Sequence, residues 1–246
     1  MNMDFEAGAF LVDKPVGASS FYMVRKVRNA LGMKKVGHTG TLDPFATGLL
    51  VICAGRPATK LISQIQDGEK EYLATLRLGV ETTTLDPEGD ITAESAVGCL
   101  SSSTIETTLQ KFRGEQQQIP PVYSALKHKG KPLYHYARKG IKITKPPRTV
   151  QIERLERVET TGGINDDHPY LHIRVVCSKG TYIRTLGADI GRELGCGAYL
   201  TALRRVRSSC FHVNDSVDGS KLGDDDARER LLEKVLSVSD LLNLLQ

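Results

Sequence analysis

The twelve residues Gly37-His38-Thr39-Gly40-Thr41-Leu42-Asp43-Pro44-Phe45-Ala46-Thr47-Gly48 carry the densest set of chemically capable side chains in the sequence. Three glycines let the backbone approach a ligand closely, and Asp43-Pro44 favours an extended or turn geometry that can hold one carboxylate in place. Asp43 is therefore a candidate nucleophile. An aspartate before proline is more often a turn or helix cap, and a loop histidine such as His38 more often only forms hydrogen bonds, so both interpretations stay open.

The residues on either side of this loop predict a mixture of strands and helices. Ala9 to Val12 is an apolar strand, Ser19 or Ser20 is the N-cap of a helix ending near Gly32, and Met33 to Gly48 is a loop. Further on, we predict strands at 49–53 and 71–78 and a turn at 86–90. The capping box Ser103-x-x-Glu106 opens a helix that ends near Phe112. Strands follow at 150–158 and 171–177, and helices from about Tyr182 to Leu194 and from about Asp225 to Leu245. Because strands and helices do not alternate regularly, the predicted fold class is α+β, a mixed and largely antiparallel sheet flanked by helices.

A second constellation, Ser178-Lys179-Gly180-Thr181-Tyr182-Ile183-Arg184-Thr185, joins a strand to a helix. With Thr181 as N-cap, Arg184 lies in the first helical turn, where the helix dipole disfavours a cation. The arginine therefore needs an anion, which could be a surface salt-bridge partner, an RNA phosphate or a catalytic carboxylate. If the partner is Asp43, the ion pair would keep that carboxylate ionised. Tyr72 is, on its own, either a sheet-packing aromatic or a stacking platform.

The charge is unevenly distributed. The formal net charge is +4, residues 217–246 carry −3, and Lys111 to Arg148 carries +9 in 38 residues. Tyrosines 123, 134 and 136 and histidines 128 and 135 are interleaved with these bases, a mixture suited to phosphate contact and base stacking. A solvated surface is the alternative. Prolines at both ends suggest that the segment is an excursion from the main fold.

Several classes of protein are excluded by pattern. Five cysteines without a C-x-x-C pair indicate neither a disulfide framework nor a zinc ribbon, and favour a reducing cytoplasm. The longest apolar run, Leu49 to Ala54, is far shorter than a membrane span, and the amino terminus is acidic where a signal peptide would be basic. No combined Cys/His zinc-ligand pattern and no Walker or dinucleotide motif occurs, so an enzyme without metal or cofactor is the simpler hypothesis.

Six strings together resemble the TruB-type tRNA pseudouridine synthases. The resemblance extends from about residue 8 to 216, and the strings follow one another in order. They are Asp13-Lys14-Pro15-x-Gly17-x-Ser19-Ser20, Gly37-His38-Thr39-Gly40-Thr41-Leu42-Asp43-Pro44-x-Ala46-Thr47-Gly48-Leu49-Leu50, Lys70-Glu71-Tyr72, Pro120-Pro121-x-Tyr123-Ser124-Ala125-x-Lys127, Cys177-Ser178-Lys179-Gly180-Thr181-Tyr182-Ile183-Arg184-Thr185-Leu186 and Leu203-Arg204-Arg205. Each string alone is weak, and the set is specific.

The resemblance implies an isomerase that converts the T-loop uridine of tRNA, position 55, to pseudouridine after base flipping, with no cofactor and no metal. Asp43 matches the family's catalytic aspartate, Tyr72 the tyrosine that stacks on the target base, and Arg184 the arginine paired with the aspartate. The matching substrate-contacting positions are His38, Tyr182 and Leu203, and Lys14 belongs to a substrate-site motif that buttresses the active-site loop.

The resemblance also implies a domain organisation. Residues 1–216 match the catalytic domain, with the basic segment 111–148 as an RNA-gripping insertion. Residues 217–246 form an acidic tail with a leucine-rich helix, without the PUA domain that many members carry. The resemblance further implies a monomeric cytoplasmic enzyme whose partner is the T arm of tRNA and which does not bind a membrane. One departure is that members commonly show a Ser-Gly pair after Leu203-Arg204-Arg205, where this chain has Val206-Arg207-Ser208-Ser209-Cys210-Phe211.

Three alternatives remain at this stage. A non-catalytic tRNA-binding or tRNA-folding protein could use the same scaffold, although it would not need the trio Asp43, Tyr72 and Arg184. An enzyme of the same class could act on another RNA. A metal-dependent nuclease using Asp13, Asp43 and His38 is the most distant of the three.

Overall fold

The structure is a computed structural model that describes residues 5–158 and 163–245; of the acidic residues near the amino terminus, Asp4 lies outside the described part and Glu6 within it. The strands are β1 (Gly8–Lys14), β2 (Val36–His38), β3 (Thr47–Ala54), β4 (Lys70–Leu78), β5 (Val80–Thr82), β6 (Ile91–Glu94), β7 (Gly114–Gln118), β8 (Lys127–His128), β9 (Lys131–Pro132), β10 (Arg148–Arg157), β11 (Tyr170–Cys177), β12 (Ala198–Ser208), β13 (Phe211–His212), β14 (Val217–Asp218) and β15 (Leu236–Ser237). The helices are α1 (Ser20–Leu31), α2 (Arg56–Thr59), α3 (Ile62–Asp67), α4 (Ser102–Lys111), α5 (Leu133–Ala137), α6 (Ile183–Glu193), α7 (Ala227–Glu233) and α8 (Val238–Leu244), with short 3-10 turns at Val213–Asp215 and Gly219–Lys221.

The chain forms two compact units. The first runs to Tyr72 and resumes at Arg204, and the second is Leu73–Leu203. In the first unit, β1 pairs antiparallel with β3 and β15 and parallel with β14, while β3 pairs antiparallel with β2 and parallel with the Arg204 end of β12. This unit therefore has the mixed sheet with flanking helices that the sequence predicts.

Helices cover both faces of the first unit's sheet. On one face, α1 packs Met23, Val27 and Leu31 against Phe10 and Ile52. The other face carries alternate strand residues and is covered by α3 and α8; its buried members include Ala9, Leu11, Leu49, Val51, Ile65 and Leu241. The alternation of β1 side chains between the two faces is the period of a strand buried on both sides.

The carboxyl-terminal segment corrects the prediction of one helix from Asp225 to Leu245. α7 ends at Glu233, and the strand that follows it, β15, pairs with β1. A second helix, α8, then begins at a capping box formed by Ser237 and Asp240. Leu231 of α7 and Leu241 of α8 are both fully buried, but they lie against opposite faces of the sheet. One continuous helix could not bury both, so the leucine periodicity is shared between two short helices.

The second unit has a sheet in the order β12-β4-β11-β10-β7, in which β10 pairs antiparallel with both β11 and β7. Leu171, Ile173 and Val175 are fully buried, which confirms the period-two pattern predicted for that strand. α6 lies closely against the sheet, because a Cβ at Gly191 would stand 2.4 Å from the Cβ of Ala198. Glycine is therefore needed at that position for the helix to approach the strand.

Three local predictions in the second unit need correction. α4 is capped by Ser101, whose hydroxyl accepts from the backbone N–H of Thr104, and not by a box starting at Ser103. The N-cap of α6 is Tyr182, because the Thr181 hydroxyl instead donates to a carbonyl of the preceding turn. The excursion predicted for 111–148 begins only after Gln118, since β7 is part of the sheet.

One further correction and one local feature concern the first unit. The predicted loop from Met33 to Gly48 contains the short strand β2. At the departure from the family pattern, Ser208 pairs with Phe211 around a tight turn in which Ser209 has a positive φ of 55°. Glycine adopts this conformation without steric cost, whereas a serine such as Ser209 adopts it at some cost in strain.

Candidate active site

The loop that carries Asp43 is fixed on both sides of the aspartate. The backbone N–H of Leu42 donates to the Ser20 hydroxyl at 2.8 Å, and the same hydroxyl donates to the Leu42 carbonyl at 2.9 Å. The carbonyl of Pro44 accepts from the backbone N–H of Gly17 at 2.8 Å. Asp43, half-buried between these two anchors, also accepts from a backbone N–H through its own carbonyl. The backbone that carries the Asp43 carboxylate is thus fixed by hydrogen bonds on both sides.

Lys14 supports this loop from inside the fold. Its side chain is fully buried, and its ammonium donates to the carbonyls of Pro15, Ala18 and Pro44. A buried ammonium is tolerated only where such acceptors replace its water shell. This placement favours the buttressing role of Lys14 over direct contact with a substrate.

Arg205 braces the loop at its two ends. Its guanidinium, buried with the rest of the side chain, donates to the carbonyl of Leu49 at 2.7 Å and to that of Gly40 at 3.1 Å. Its backbone passes so close to Gly48 that a Cβ there would lie 2.3 Å from the Arg205 carbonyl oxygen. Gly48 also has a φ of +100°, so both the close approach and the backbone conformation require glycine.

His38 ends β2 and is held as a neutral imidazole. Its Nδ1 accepts from the backbone N–H of Gly40 at 3.2 Å, which leaves the ring proton on Nε2. Burial lowers the pKa of His38, and the positive charge of Arg205 lowers it further. At neutral pH, His38 therefore offers an Nε2–H donor and no charge.

Tyr72 lies on β4, at the end of the first unit, with its side chain buried. It shares a face of the strand with Lys70, whose ammonium donates to the carbonyls of Gln66 and Gly68. The first unit thus contains Lys14, His38, Asp43 and Tyr72 of the predicted site residues.

In the second unit, Arg184 lies in the first turn of α6, as the sequence predicts, and it has an anionic partner. Its guanidinium donates to the carboxylate of Asp86 at 2.9 Å and to the carbonyls of Thr84 and Tyr123. Both charged side chains are almost completely buried. A buried carboxylate was not among the partners expected from the sequence, which were a surface salt bridge, an RNA phosphate and a catalytic carboxylate. The pairing of Arg184 with Asp43 stays a prediction.

Asp86 organises the turn in which it lies. Its second carboxylate oxygen accepts from the Thr84 hydroxyl and from the backbone N–H of Glu88. The sequence identified 86–90 only as a turn and missed the ion pair. The sequence did contain a signal for this ion pair: Asp86 precedes a proline, as Asp43 does, in a segment otherwise rich in threonine.

Tyr182 precedes α6 and is held by Gln118 of β7. The side-chain amide of Gln118 accepts from the Tyr182 N–H at 2.8 Å and donates to the Tyr182 carbonyl at 3.0 Å. The guanidinium of Arg148 lies 4.7 Å from the centre of the Tyr182 ring, a cation–π distance. Leu203, the other predicted pocket residue of this unit, is buried on β12.

The basic excursion, residues 119–147, is a small folded element. β8 and β9 form a hairpin whose two turn residues, Lys129 and Gly130, both have positive φ, the conformation of a type I′ turn. Leu133 is buried, and the Tyr136 hydroxyl donates to a carbonyl of β8. The exposed cations of this element are Lys127, Lys129, Lys131, Arg138, Lys139 and Lys142.

Two negative findings apply to residues 5–158 and 163–245. Within these ranges, no three His, Cys, Asp or Glu side chains are grouped so that they could hold a metal ion. No helix in the same ranges has the length and apolar character to cross a bilayer.

Burial raises the pKa of the Cys53 thiol to about 12, so this cysteine is not a nucleophile at neutral pH.

Comparison with known proteins gives the class to which this fold and loop belong. A chain of the archaeal box H/ACA sRNP Nop10–Cbf5 complex superposes with a TM-score of 0.66 at 25% identity, over 95% of this chain and 60% of that one. The model of the TruB family pseudouridylate synthase N-terminal domain matches residues 28–183, and that of the tRNA pseudouridylate synthase B C-terminal domain matches 184–242.

Close relatives agree with this class. The chain is 61% identical to tRNA pseudouridine synthase B of Desulfotalea psychrophila over 99% of this chain and 98% of that protein. It is 49% identical to the protein of the same name from Chromobacterium violaceum over 92% of this chain and 72% of that protein. The chain belongs to the TruB family of pseudouridine synthases, which are isomerases. The predicted α+β fold class is confirmed.

Proposed function

We propose that this chain converts the T-loop uridine of tRNA, position 55, to pseudouridine, with Asp43 as the nucleophile. The observation that carries the proposal is the clamping of Leu42 and Pro44, because it fixes the backbone on both sides of the half-buried Asp43. A nucleophile held in this way needs little reorganisation during the reaction. Family membership favours this function over a non-catalytic tRNA-binding protein.

The chemistry fits the residue types. The N1–C1′ glycosidic bond breaks, the uracil rotates, and a C5–C1′ bond forms; C5 loses a proton and N1 gains one. Because atoms and electrons balance within the substrate, the reaction consumes no oxidant, reductant or ATP; by resemblance to the family, we propose that it also uses no metal. It does need a carboxylate that attacks either the ribose C1′ or the uracil C6, and a pocket that retains the detached base.

We assign the other roles by resemblance. The target nucleotide is stacked in the T loop and must be flipped out, and Tyr72 replaces the lost stacking. His38 donates through Nε2 to the rearranged loop, which agrees with its neutral form. Tyr182 and Leu203 contact the uracil, and Arg184 is the arginine partner of Asp43. Its bonds to the turn around Asp86 would fix its position in the second unit.

The proposed partner is the T arm of tRNA, bound by a monomeric enzyme in the cytoplasm. The exposed cations of the basic excursion suit contact with phosphates. Neutralising Lys127, Lys129 and Lys131 together should weaken tRNA binding and reduce its salt dependence, because each lost phosphate contact removes counterion release. Unchanged binding across a salt titration would contradict this part of the proposal.

The test is pseudouridine mapping by chemical modification and primer extension on unmodified tRNA. Wild-type protein should give one stop at position 55, Asp43→Asn should give none, and tRNA with cytidine at position 55 should give none with either protein. Filter binding in parallel should show that Asp43→Asn still binds. If both proteins bind tRNA and neither makes product, the non-catalytic alternative replaces the proposal, and a stop elsewhere in total RNA identifies a different substrate.

A further inference from the structure

We propose that the outer face of α1 and the turn after it form a second RNA-backbone contact, separate from the basic excursion. We call this surface the α1 face and define it by Phe21, Arg25, Lys34 and Lys35. The proposal rests on the proposed function, because it assumes that RNA reaches the Asp43 loop.

The first observation is charge. Residues 14–42 contain six Lys and Arg and no acidic residue. One of the six, Lys14, is buried under the Asp43 loop. Arg25, Lys34 and Lys35 are exposed to solvent, and they form no ion pair among those found in the described part of the chain. A surface of one sign that is not neutralised internally attracts a polyanion.

The second observation is an aromatic side chain in solvent. Phe21 is 65% exposed, although α1 has a well-packed inner face formed by Met23, Val24 and Val27. Phe21 and Arg25 are one turn apart on the same side of the helix. The fold does not bury Phe21, whereas an exposed ring beside cations is the arrangement that stacks on an unpaired base.

The third observation is position. α1 begins at Ser20, the residue whose hydroxyl clamps Leu42 next to Asp43. The helix is 12 residues long, so its outer face extends roughly 18 Å away from that loop. At its far end, Lys34 and Lys35 lead directly into β2, which carries His38. The α1 face is therefore anchored at both ends to residues of the proposed site.

The positive charge of the α1 face is complementary to a phosphate backbone, which we therefore propose as its partner. Lys26, on the neighbouring side of α1, lines a shallow pocket together with Asp224 and Asp225. Acidic residues of this chain therefore already face that side of the helix. Arg25, Lys34 and Lys35 do not line the pocket, so the test is confined to them.

The experiment compares tRNA binding by two triple variants over a salt titration. Arg25→Gln/Lys34→Gln/Lys35→Gln removes the charge of the α1 face. Arg56→Gln/Lys60→Gln/Lys221→Gln removes the same charge from three other exposed positions of the first unit. We expect the first variant to bind about tenfold more weakly than the control variant, with a log Kd against log salt slope smaller by about 2, since each phosphate contact contributes about 0.7–0.9.

A single variant, Phe21→Ala, separates stacking from charge. We expect an affinity loss of about fivefold or more with an unchanged salt slope, because base stacking releases no counterions. If the α1 triple variant and the control variant bind equally and Phe21→Ala binds like wild type, the α1 face does not contact RNA. If wild type itself neither binds nor modifies tRNA, the proposed function fails instead, so the two failures are distinguishable.

Discussion

The hydroxyl of Ser20 both accepts from the N–H and donates to the carbonyl of Leu42, the residue immediately before Asp43. One buried side chain on α1 thereby satisfies both polar backbone groups of a loop residue. Loop backbone without such partners would be mobile or hydrated. This hydroxyl therefore links the rigid helix to the position of the proposed nucleophile.

Ser20→Ala should reduce kcat more than it reduces tRNA affinity. The substitution leaves two buried backbone groups of Leu42 without their partner, at a cost of about 1–3 kcal/mol in the free energy of unfolding. The loop then samples positions in which Asp43 is misplaced. Ser19→Ala is the matched control, because it removes the N-cap of the same helix and leaves the clamp intact. Equal loss of kcat in the two variants would contradict the role of Ser20.

Gly48→Ala should destabilise the first unit. The added Cβ would meet the Arg205 carbonyl oxygen, and the φ of +100° is strained for alanine, so we expect a loss of about 3 kcal/mol in the free energy of unfolding. Gly98→Ala is the control, since Gly98 also has a positive φ but nothing lies near its Cβ position. It should lose only about 1 kcal/mol in urea denaturation. Equal losses would show that the close approach of Arg205 is not important.

Asp86→Ala should lower thermal stability strongly, because it removes the Asp86 carboxylate from a buried ion pair with Arg184. Breaking one partner of a buried pair costs about 3–5 kcal/mol. Asp90→Ala, in the same turn but exposed, should change stability by less than about 0.5 kcal/mol. Calorimetry of the two variants would contradict the account if their melting temperatures agreed.

His38 should make the protein less stable in acid. Its pKa is lowered in the folded state, so around the ordinary value of about 6.5 the unfolded chain binds a proton that the folded chain refuses. The contribution of the neutral His38 to the free energy of unfolding is therefore fully present above a pH of about 6.5 and is lost as the pH falls below it. In urea denaturation at pH 7.5 and pH 5.5, His38→Gln should show a smaller difference in stability than wild type. His212→Gln, which removes an exposed imidazole, should behave like wild type.

Features that depend on neighbouring residues could be predicted from the sequence. Ser19 caps α1 and Gly32 ends it, as expected from local capping chemistry. The alternation of Leu171, Ile173 and Val175 identified a strand with one buried face. In both cases the interactions that decide the structure lie within a few residues of each other.

Features that depend on distant pairing could not be predicted. The bonds of Arg205 to Gly40 and Leu49 require the parallel register of β12 and β3, and the partner of Arg184 lies almost a hundred residues away in Asp86. The leucines of the last segment have one continuous helical period, yet they pack on two faces of a sheet. Periodicity specifies a face, but not which surface covers it.

The central claim, that Asp43 forms the covalent bond that allows the N1–C1′ bond of the target uridine to break, is tested most directly by proton release from C5. Unmodified tRNA labelled with tritium at C5 of its uridines would be mixed with excess enzyme in a single turnover. Wild type should release one tritium per tRNA, and Asp43→Asn, at the same fraction of bound tRNA, should release none. Release by Asp43→Asn at a rate near that of wild type would contradict the account.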